Sequence, residues 1–180
     1  MIESKLISVI IPVYNEEDSI DILYKELLAS LADYEFELIF VNDGSFDNSV
    51  SIIKNIIKTN NVHLIDLYKN YGKSAALSEG FKYSSGNYIV TLDADLQDDP
   101  SEIPELLTML NSSELDIISG WKKTRKDPIS KRLPSKIFNF ITRLFSGIKI
   151  HDFNCGLKVY KKKVIKSIEI YGGMHRYIPV

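Results

Sequence analysis

Apolar positions along the chain come in two alternating kinds of run. The stretches ISVIIPV, FELIFVN, HLIDL and NYIVTL are β-branched and aromatic with few polar interruptions, and read as buried strands. Between them the apolar residues recur at helical spacing. Ile20, Leu23, Leu27, Leu28 and Leu31 form one stripe, Val50, Ile53, Ile56 and Ile57 a second, and Ala75, Ala76, Leu77 and Phe81 begin a third. Strand and helix in alternation predict an α/β fold, a Rossmann-like and mostly parallel sheet with helices on both faces. Ligands of such sheets bind beyond the carboxyl ends of the strands. The turns PVYNEE, NDGSFDNS, KNYGKSAA and DADLQDD each follow a strand, so all four are expected along one edge.

Length and composition narrow this only slightly. A chain of 180 residues, 44% hydrophobic, can bury one sizeable core. Its one cysteine, Cys155, excludes an internal disulfide and a cysteine-cluster zinc site, and fits a reducing compartment. The start, MIESKLISVIIPVYNEE, has a short apolar run interrupted by Pro12, which reads as a strand and not as a signal peptide. No stretch approaches the ~18 apolar residues of a bilayer-spanning helix.

Charge changes the picture more. The net charge of -2 conceals a segment, Gly120 to Lys166, with 14 Lys/Arg and 2 acids, against 8 and 22 in the rest of the chain. A division of this kind calls for an anionic partner on the basic side. At the other extreme, LDADLQDDP sets Asp93, Asp95, Asp98 and Asp99 directly after a strand. A solvated acidic turn is one reading of that cluster. A site for a hard divalent cation, which would offset the mutual repulsion, is the other. Asp93 and Asp95 lie two apart on a segment expected to be extended, hence on one face, and Gln97 adds a neutral oxygen.

The other turns carry their own candidates. After Pro12, Tyr14 offers a ring and Glu16 a carboxylate that suit a nucleobase and ribose; half-buried packing and a solvated helix start are the competing readings. Asp43, before Gly44 and Ser45, is placed either to accept from a base edge or to cap a helix. Asn70 to Lys73 opens the third helix, where backbone N–H groups and Lys73 suit a phosphate, although a surface lysine explains it as well.

SVIIPVYNEE, IFVNDGSFDNS, NYGKSAAL and LDADLQDDP, in this order and spacing, resemble family 2 glycosyltransferases with the GT-A fold, and most closely the polyprenyl-phosphate sugar transferases. HDFNCGLKVY and YGGMHRYIPV extend the resemblance over almost the whole chain. The resemblance implies that Pro12, Tyr14, Glu16, Asp43, Asn70, Lys73 and Asp93 bind a nucleotide-diphosphate sugar, UDP- or GDP-linked. It implies that Asp93, Asp95 and Gln97 hold Mg²⁺ or Mn²⁺. Asn42 stands where many members have a second Asp, and is read as tolerated variation. Asp152 matches the carboxylate that inverting members place nearest the reacting centre, so Asp152 and Asp95 are the expected catalytic residues. If the acceptor is a hydroxyl, Asp152 acts as general base; a phosphomonoester, with its second pKa ≈ 6, is already largely ionised, and Asp152 then orients it.

The basic segment is expected to contain a loop, Lys122 to Arg132, and from Pro134 an amphipathic helix. The helix carries Ile137, Phe138, Ile141, Leu144, Phe145 and Ile148 along one stripe, with Lys136 and Arg143 interspersed. A core helix, a solvated loop and nucleic-acid binding are its other readings. The resemblance favours lipid phosphate at an anionic membrane surface and no nucleic acid, with Arg132 and Ser135, then Arg125, at the acceptor phosphate. Arg176, with His175, matches a further motif read as a phosphate contact; His63 and His151 are read as structural. The expected division is a nucleotide-sugar-binding core over 1–119, the acceptor loop and interfacial helix over 120–150, and the remaining catalytic elements over 151–180. Family members continue beyond this point, often with transmembrane helices, and work at the cytoplasmic membrane face. Two other functions stay open: a metal-dependent nucleotidyltransferase, and a non-catalytic nucleotide-sugar or membrane-binding module.

Overall fold

The computed structural model describes residues 5–58, 61–121, 142 and 155–179. Strands β1 (Ile7–Val13), β2 (Phe36–Asn42), β3 (Val62–Asp66) and β4 (Tyr88–Thr91) alternate with helices α1 (Ile20–Ser30), α2 (Ser49–Ile56) and α3 (Lys73–Tyr83). A 3₁₀ turn, Pro100–Glu102, leads into α4 (Ile103–Ser112), followed by β5 (Ile117–Ser119) and β6 (Lys158–Lys161). The sheet order is β3-β2-β1-β4-β6-β5. The first four strands are parallel, as their apolar runs predict, while β6 runs antiparallel to both β4 and β5.

The two-residue period of each strand divides the core into two layers. Val9, Ile11, Leu38, Phe40 and Val90 face Leu23 and Leu27 of α1, Ile53 of α2 and Leu107 of α4. Ile10, Ile39, Val41 and Ile89 face Ala76, Leu77 and Phe81 of α3 and the C-terminal Ile165 and Ile170. The sequence stripes follow this burial except for Leu28, Val50, Ala75 and Ile57, which are only partly covered or exposed.

Pro12 lies inside the first strand, because β1 continues to Val13. Its missing N–H forfeits no ladder bond. Ile10 O bonds towards β4 and Val13 O towards β2, so position 12 faces the β4 side, where the register stops at Ile10.

At the opposite edge of the sheet, buried Glu37 fastens the α3–β4 connection to the strand starts. Its Oε1 accepts from Ser8 Oγ at 2.5 Å and from Ser85 N and Oγ at 2.8 Å each, and Ser8 Oγ accepts from Gly86 N at 2.8 Å. Burial alone would raise the Glu37 pKa, but the Ser8 and Ser85 hydrogen bonds and nearby His63 together hold it below the usual value. A carboxylate with a lowered folded pKa contributes stability that is present above its unfolded value, about 4.3, and is lost as pH falls through the folded value. Glu37→Ala is therefore expected to cost about 2–4 kcal/mol at pH 7 in urea denaturation. The gap between variant and parent should shrink below about pH 4; a gap independent of pH would contradict this account.

Candidate functional site

The four strand-ending turns do converge. They form a cleft of about 300 Å³ lined by Pro12, Tyr14 and Glu16 from the first turn, Asp43 from the second, Asn70, Gly72 and Lys73 from the third, and Asp93 and Asp95 from the fourth. All of these but Gly72 were candidate site residues in the sequence, and Val13 and Ala94, which were not, complete the lining.

The first two turns are stitched together. Asn15 takes a left-handed conformation (φ 57°), donates its N–H to Ser45 Oγ at 3.0 Å and accepts Phe46 N on Oδ1 at 3.0 Å. Tyr14, half exposed, packs edge-on against Phe46 with ring centroids 6.2 Å apart. Glu16 accepts from Ser19 Oγ at 3.2 Å. Its pKa is raised first by burial and then by the charges of Asp95, Asp93 and Asp47, with the Ser19 bond opposing.

Asp43 is buried, and both of its oxygens are engaged by the third turn: Oδ1 accepts Tyr71 N at 2.7 Å and Oδ2 accepts Gly72 N at 2.9 Å. It holds a loop, a role neither of the two sequence readings contained. Gly44 makes the approach possible, since at φ 74° a Cβ there would lie 2.5 Å from the Lys69 carbonyl carbon. Asn42 is more than tolerated variation. Its Nδ2 donates to Asp66 Oδ1 at 2.7 Å while its Oδ1 accepts Ser45 N at 3.0 Å, and an aspartate could not donate to Asp66.

The four aspartates of LDADLQDDP do three different things. Asp93 and Asp95 line the cleft, and Lys73 Nζ donates to Asp93 Oδ1. Asp98 is buried and takes Cys155 Sγ on Oδ1 at 3.5 Å. Asp99 caps the 3₁₀ turn by accepting Ser101 N at 2.9 Å. The expected extended segment is absent here: β4 stops at Thr91, Asp93 and Asp95 line the cleft from the turn that follows it, and beyond Asp95 the chain turns back, with Gln97 N donating to Asp95 Oδ1 at 3.1 Å and Leu96 left-handed at φ 58°. That reversal leaves the exposed Gln97 off the cleft lining, contrary to its expected place beside the two aspartates.

Gly156 was not anticipated as a site residue. Its backbone sits against the carboxylates, so that a Cβ would lie 2.5 Å from Asp93 Cγ and 2.6 Å from Asp98 Oδ2, and its carbonyl accepts from Thr91 Oγ1 at 2.8 Å. The only sequence signal was a glycine inside HDFNCGLKVY. Gly156→Ala should displace both carboxylates, lowering stability by about 1–3 kcal/mol as overpacking does. It is expected to weaken Mn²⁺-dependent nucleotide binding in calorimetry well beyond any change in nucleoside affinity; unchanged Mn²⁺ dependence would refute the close approach.

Arg176 is exposed in the 3₁₀ turn Met174–Arg176 and does not line the cleft, whereas its neighbour His175 packs on α3. Asp152, Arg125, Arg132, Ser135 and the amphipathic stripe lie outside the described residues. Among the described residues no helix is long and apolar enough to cross a membrane, and no group of three or more His, Cys, Asp or Glu could hold a metal by itself. Two carboxylates in a cleft suit a cation that takes its remaining ligands from water and phosphate, as Mg²⁺ does. The charge balance fits too, because four carboxylates face one ammonium, Lys73, across the lining.

A parallel-stranded sheet with an acidic cleft beyond its strand ends defines a ligand-binding α/β protein. The chain belongs to glycosyl transferase family 2, whose model matches residues 8–169. It is 36% identical over 183 residues to a dodecaprenyl-phosphate galacturonate synthase of Rhizobium johnstonii, covering 99% of this chain and 54% of the relative. It is 34% identical over 178 residues to an undecaprenyl-phosphate 4-deoxy-4-formamido-L-arabinose transferase of Shewanella sediminis, covering 97% and 54%. The chain thus spans about half the length of these curated relatives. Among solved structures, glucosyl-3-phosphoglycerate synthase from Mycobacterium tuberculosis with Mn²⁺, UDP and phosphoglyceric acid superposes with a TM-score of 0.76 at 19% identity, covering 97% of this chain and 63% of that one. A mannosyltransferase from Pyrobaculum calidifontis with GDP-Man and Mn²⁺ gives 0.66 at 19% identity, covering 92% and 47%. These likenesses establish the GT-A fold.

Proposed function

We propose that the protein carries the donor-binding part of an inverting glycosyltransferase that moves a sugar from a nucleotide-diphosphate donor to a polyprenyl phosphate at the cytoplasmic face of a membrane. The observation that supports this most is the charge of the cleft. Among the described lining residues a diphosphate would meet the carboxylates of Glu16, Asp43, Asp93 and Asp95 against the single ammonium of Lys73, a balance that favours a divalent cation entering with it. Asp93 and Asp95 would hold that cation, Mg²⁺ or Mn²⁺, which when bound stabilises negative charge on the departing nucleoside diphosphate.

The chain's own groups supply the rest. Tyr14 offers a ring face to the base and Glu16 an acceptor to the ribose, while Asp43 keeps the Asn70–Lys73 turn in place so that Lys73 can exchange Asp93 for a phosphate oxygen. The acceptor phosphate attacks the anomeric carbon as the bond from that carbon to the donor phosphate breaks. At near-neutral pH such an acceptor is mostly ionised, so Asp152 orients it, with Arg125, Arg132, Ser135 and Arg176 as its counter-charges and donors. The names of the curated relatives favour a polyprenyl phosphate over a soluble acceptor. The basic segment and its amphipathic stripe fit an anionic membrane surface.

Incubation with UDP- and GDP-linked sugars, Mn²⁺ and a short polyprenyl phosphate tests the reading. Release of nucleoside diphosphate that requires both metal and lipid phosphate is the expected result. Pyrophosphate release from a nucleoside triphosphate would identify a nucleotidyltransferase instead, and donor binding without turnover a binding module.

A further inference from the structure

We infer that Ser74 is a positioning residue that holds His175 as its Nε2–H tautomer, so that the ring offers a hydrogen-bond donor, and no lone pair, to a phosphate oxygen at the Lys73 end of the cleft. Two contacts across the fold fix the ring. Ser74, in the first turn of α3, has its Oγ 2.8 Å from His175 Nδ1, and the backbone N–H of His175 donates to the same Oγ at 3.2 Å. Ser74 is 1% exposed, so its hydroxyl proton cannot be given to bulk water. A buried hydroxyl needs an acceptor, and among the described residues Nδ1 is the acceptor within hydrogen-bond range. The hydroxyl therefore donates to Nδ1, its lone pair takes the backbone N–H, and the proton of the neutral ring stays on Nε2.

The surroundings say what that N–H is suited to. Burial first, then the charges of Lys73, Arg176 and Lys158, push the His175 pKa down to about 4, so the ring is neutral at physiological pH; Asp93 acts weakly in the other direction. Among the described residues Nε2 has no hydrogen-bond partner. A neutral donor in the field of three cations suits an anion. A metal ligand would need the Nε2 lone pair, which this tautomer does not have. The ligand chemistry is thus a phosphate oxygen, from the donor diphosphate or from the acceptor phosphomonoester. This choice rests on the function proposed above; the tautomer does not.

The test has two independent parts on the full chain. Long-range ¹⁵N–¹H correlation at neutral pH, with the His175 signals assigned through His175→Gln, should show protonated Nε2 and bare Nδ1. Ser74→Ala should lose that fixed pattern and Ser74→Thr, which keeps the hydroxyl, should restore it. A parent ring protonated on Nδ1 overturns the positioning claim whatever the function. Calorimetry with UDP, GDP and farnesyl phosphate supplies the second part. Ser74→Ala should weaken either the nucleoside diphosphate or the prenyl phosphate about tenfold, one hydrogen bond to a charged group, and the one that weakens identifies the source. Ser74→Thr, and His175→Gln with its amide N–H, should recover most of the loss, and uridine or guanosine affinity should not move. Unchanged phosphate affinities in Ser74→Ala, or loss of Mn²⁺ binding in His175→Gln, would overturn the assignment. If Ser74→Ala does not fold, the parent spectrum and the His175→Gln and Ser74→Thr affinities decide the matter. A parent chain that binds none of the three phosphates overturns the ligand half together with the proposed function, and the spectrum still decides the positioning half.

Discussion

Asp95→Ala should abolish the Mn²⁺-dependent part of nucleotide-sugar affinity, a loss of about 100-fold or more, while the protein stays folded. The side chain is exposed at a turn, and its hydrogen bond within the protein is from Gln97 N, so its removal opens no cavity in the core. Asp93→Asn should behave differently. It too loses metal dependence, but it also releases Lys73 from its ion pair, so affinity for UDP or GDP in the presence of a chelator should rise above that of the parent. Titration calorimetry with Mn²⁺ and with chelator separates the two. Equal Mn²⁺-dependent affinity in Asp95→Ala and parent would sink the assignment of this carboxylate to the cation.

Asp43→Ala should damage both stability and binding. Two charge-assisted hydrogen bonds from Tyr71 N and Gly72 N to a buried carboxylate are lost, at about 3–5 kcal/mol together. For a domain of this size that lowers Tm by roughly 6–20 °C, at 2–4 °C per kcal/mol. Nucleoside affinity should fall, and nucleoside diphosphate affinity should fall further, because the turn that Asp43 holds leads directly into Lys73. Asp43→Asn is no remedy, since one of its two side-chain atoms becomes a donor facing a donor. A Tm within 2 °C of the parent would show that the turn holds itself.

The strands and helices were legible because buried parallel strands are apolar on both faces and the helices keep one stripe inward. The same logic placed Tyr14, Asp43, Lys73 and Asp93 at one edge before any contact was known, as each follows a parallel strand. What was not legible depends on residues far apart in sequence. The antiparallel β6 is written as KVYK, and the buried Lys158, whose Nζ donates to Cys155 O, gives it a polar look. Nothing local announces that Gly156 must lack a side chain so that Asp93 and Asp98 can sit where they do. The Asn42–Asp66 bond, the Lys73–Asp93 pair and the Ser74–His175 contact likewise join different turns. Asp95 lines the cleft as expected, but strand alternation does not put it there, since β4 ends at Thr91.

The place of β6 in the sheet also has a consequence for how the chain is made. Among the described residues strand β5 pairs with β6 alone, and β6 is also the neighbour of β4. On a ribosome adding about 5–20 residues per second, β5 emerges seconds before its partner, and for that interval β4 shows a bare row of backbone donors and acceptors. A nascent chain at this stage is a natural client for chaperones. For the same reason a shortened version ending before Lys158 should keep four parallel strands yet precipitate through the open β4 edge, whereas one ending just past Lys161 should have that edge closed.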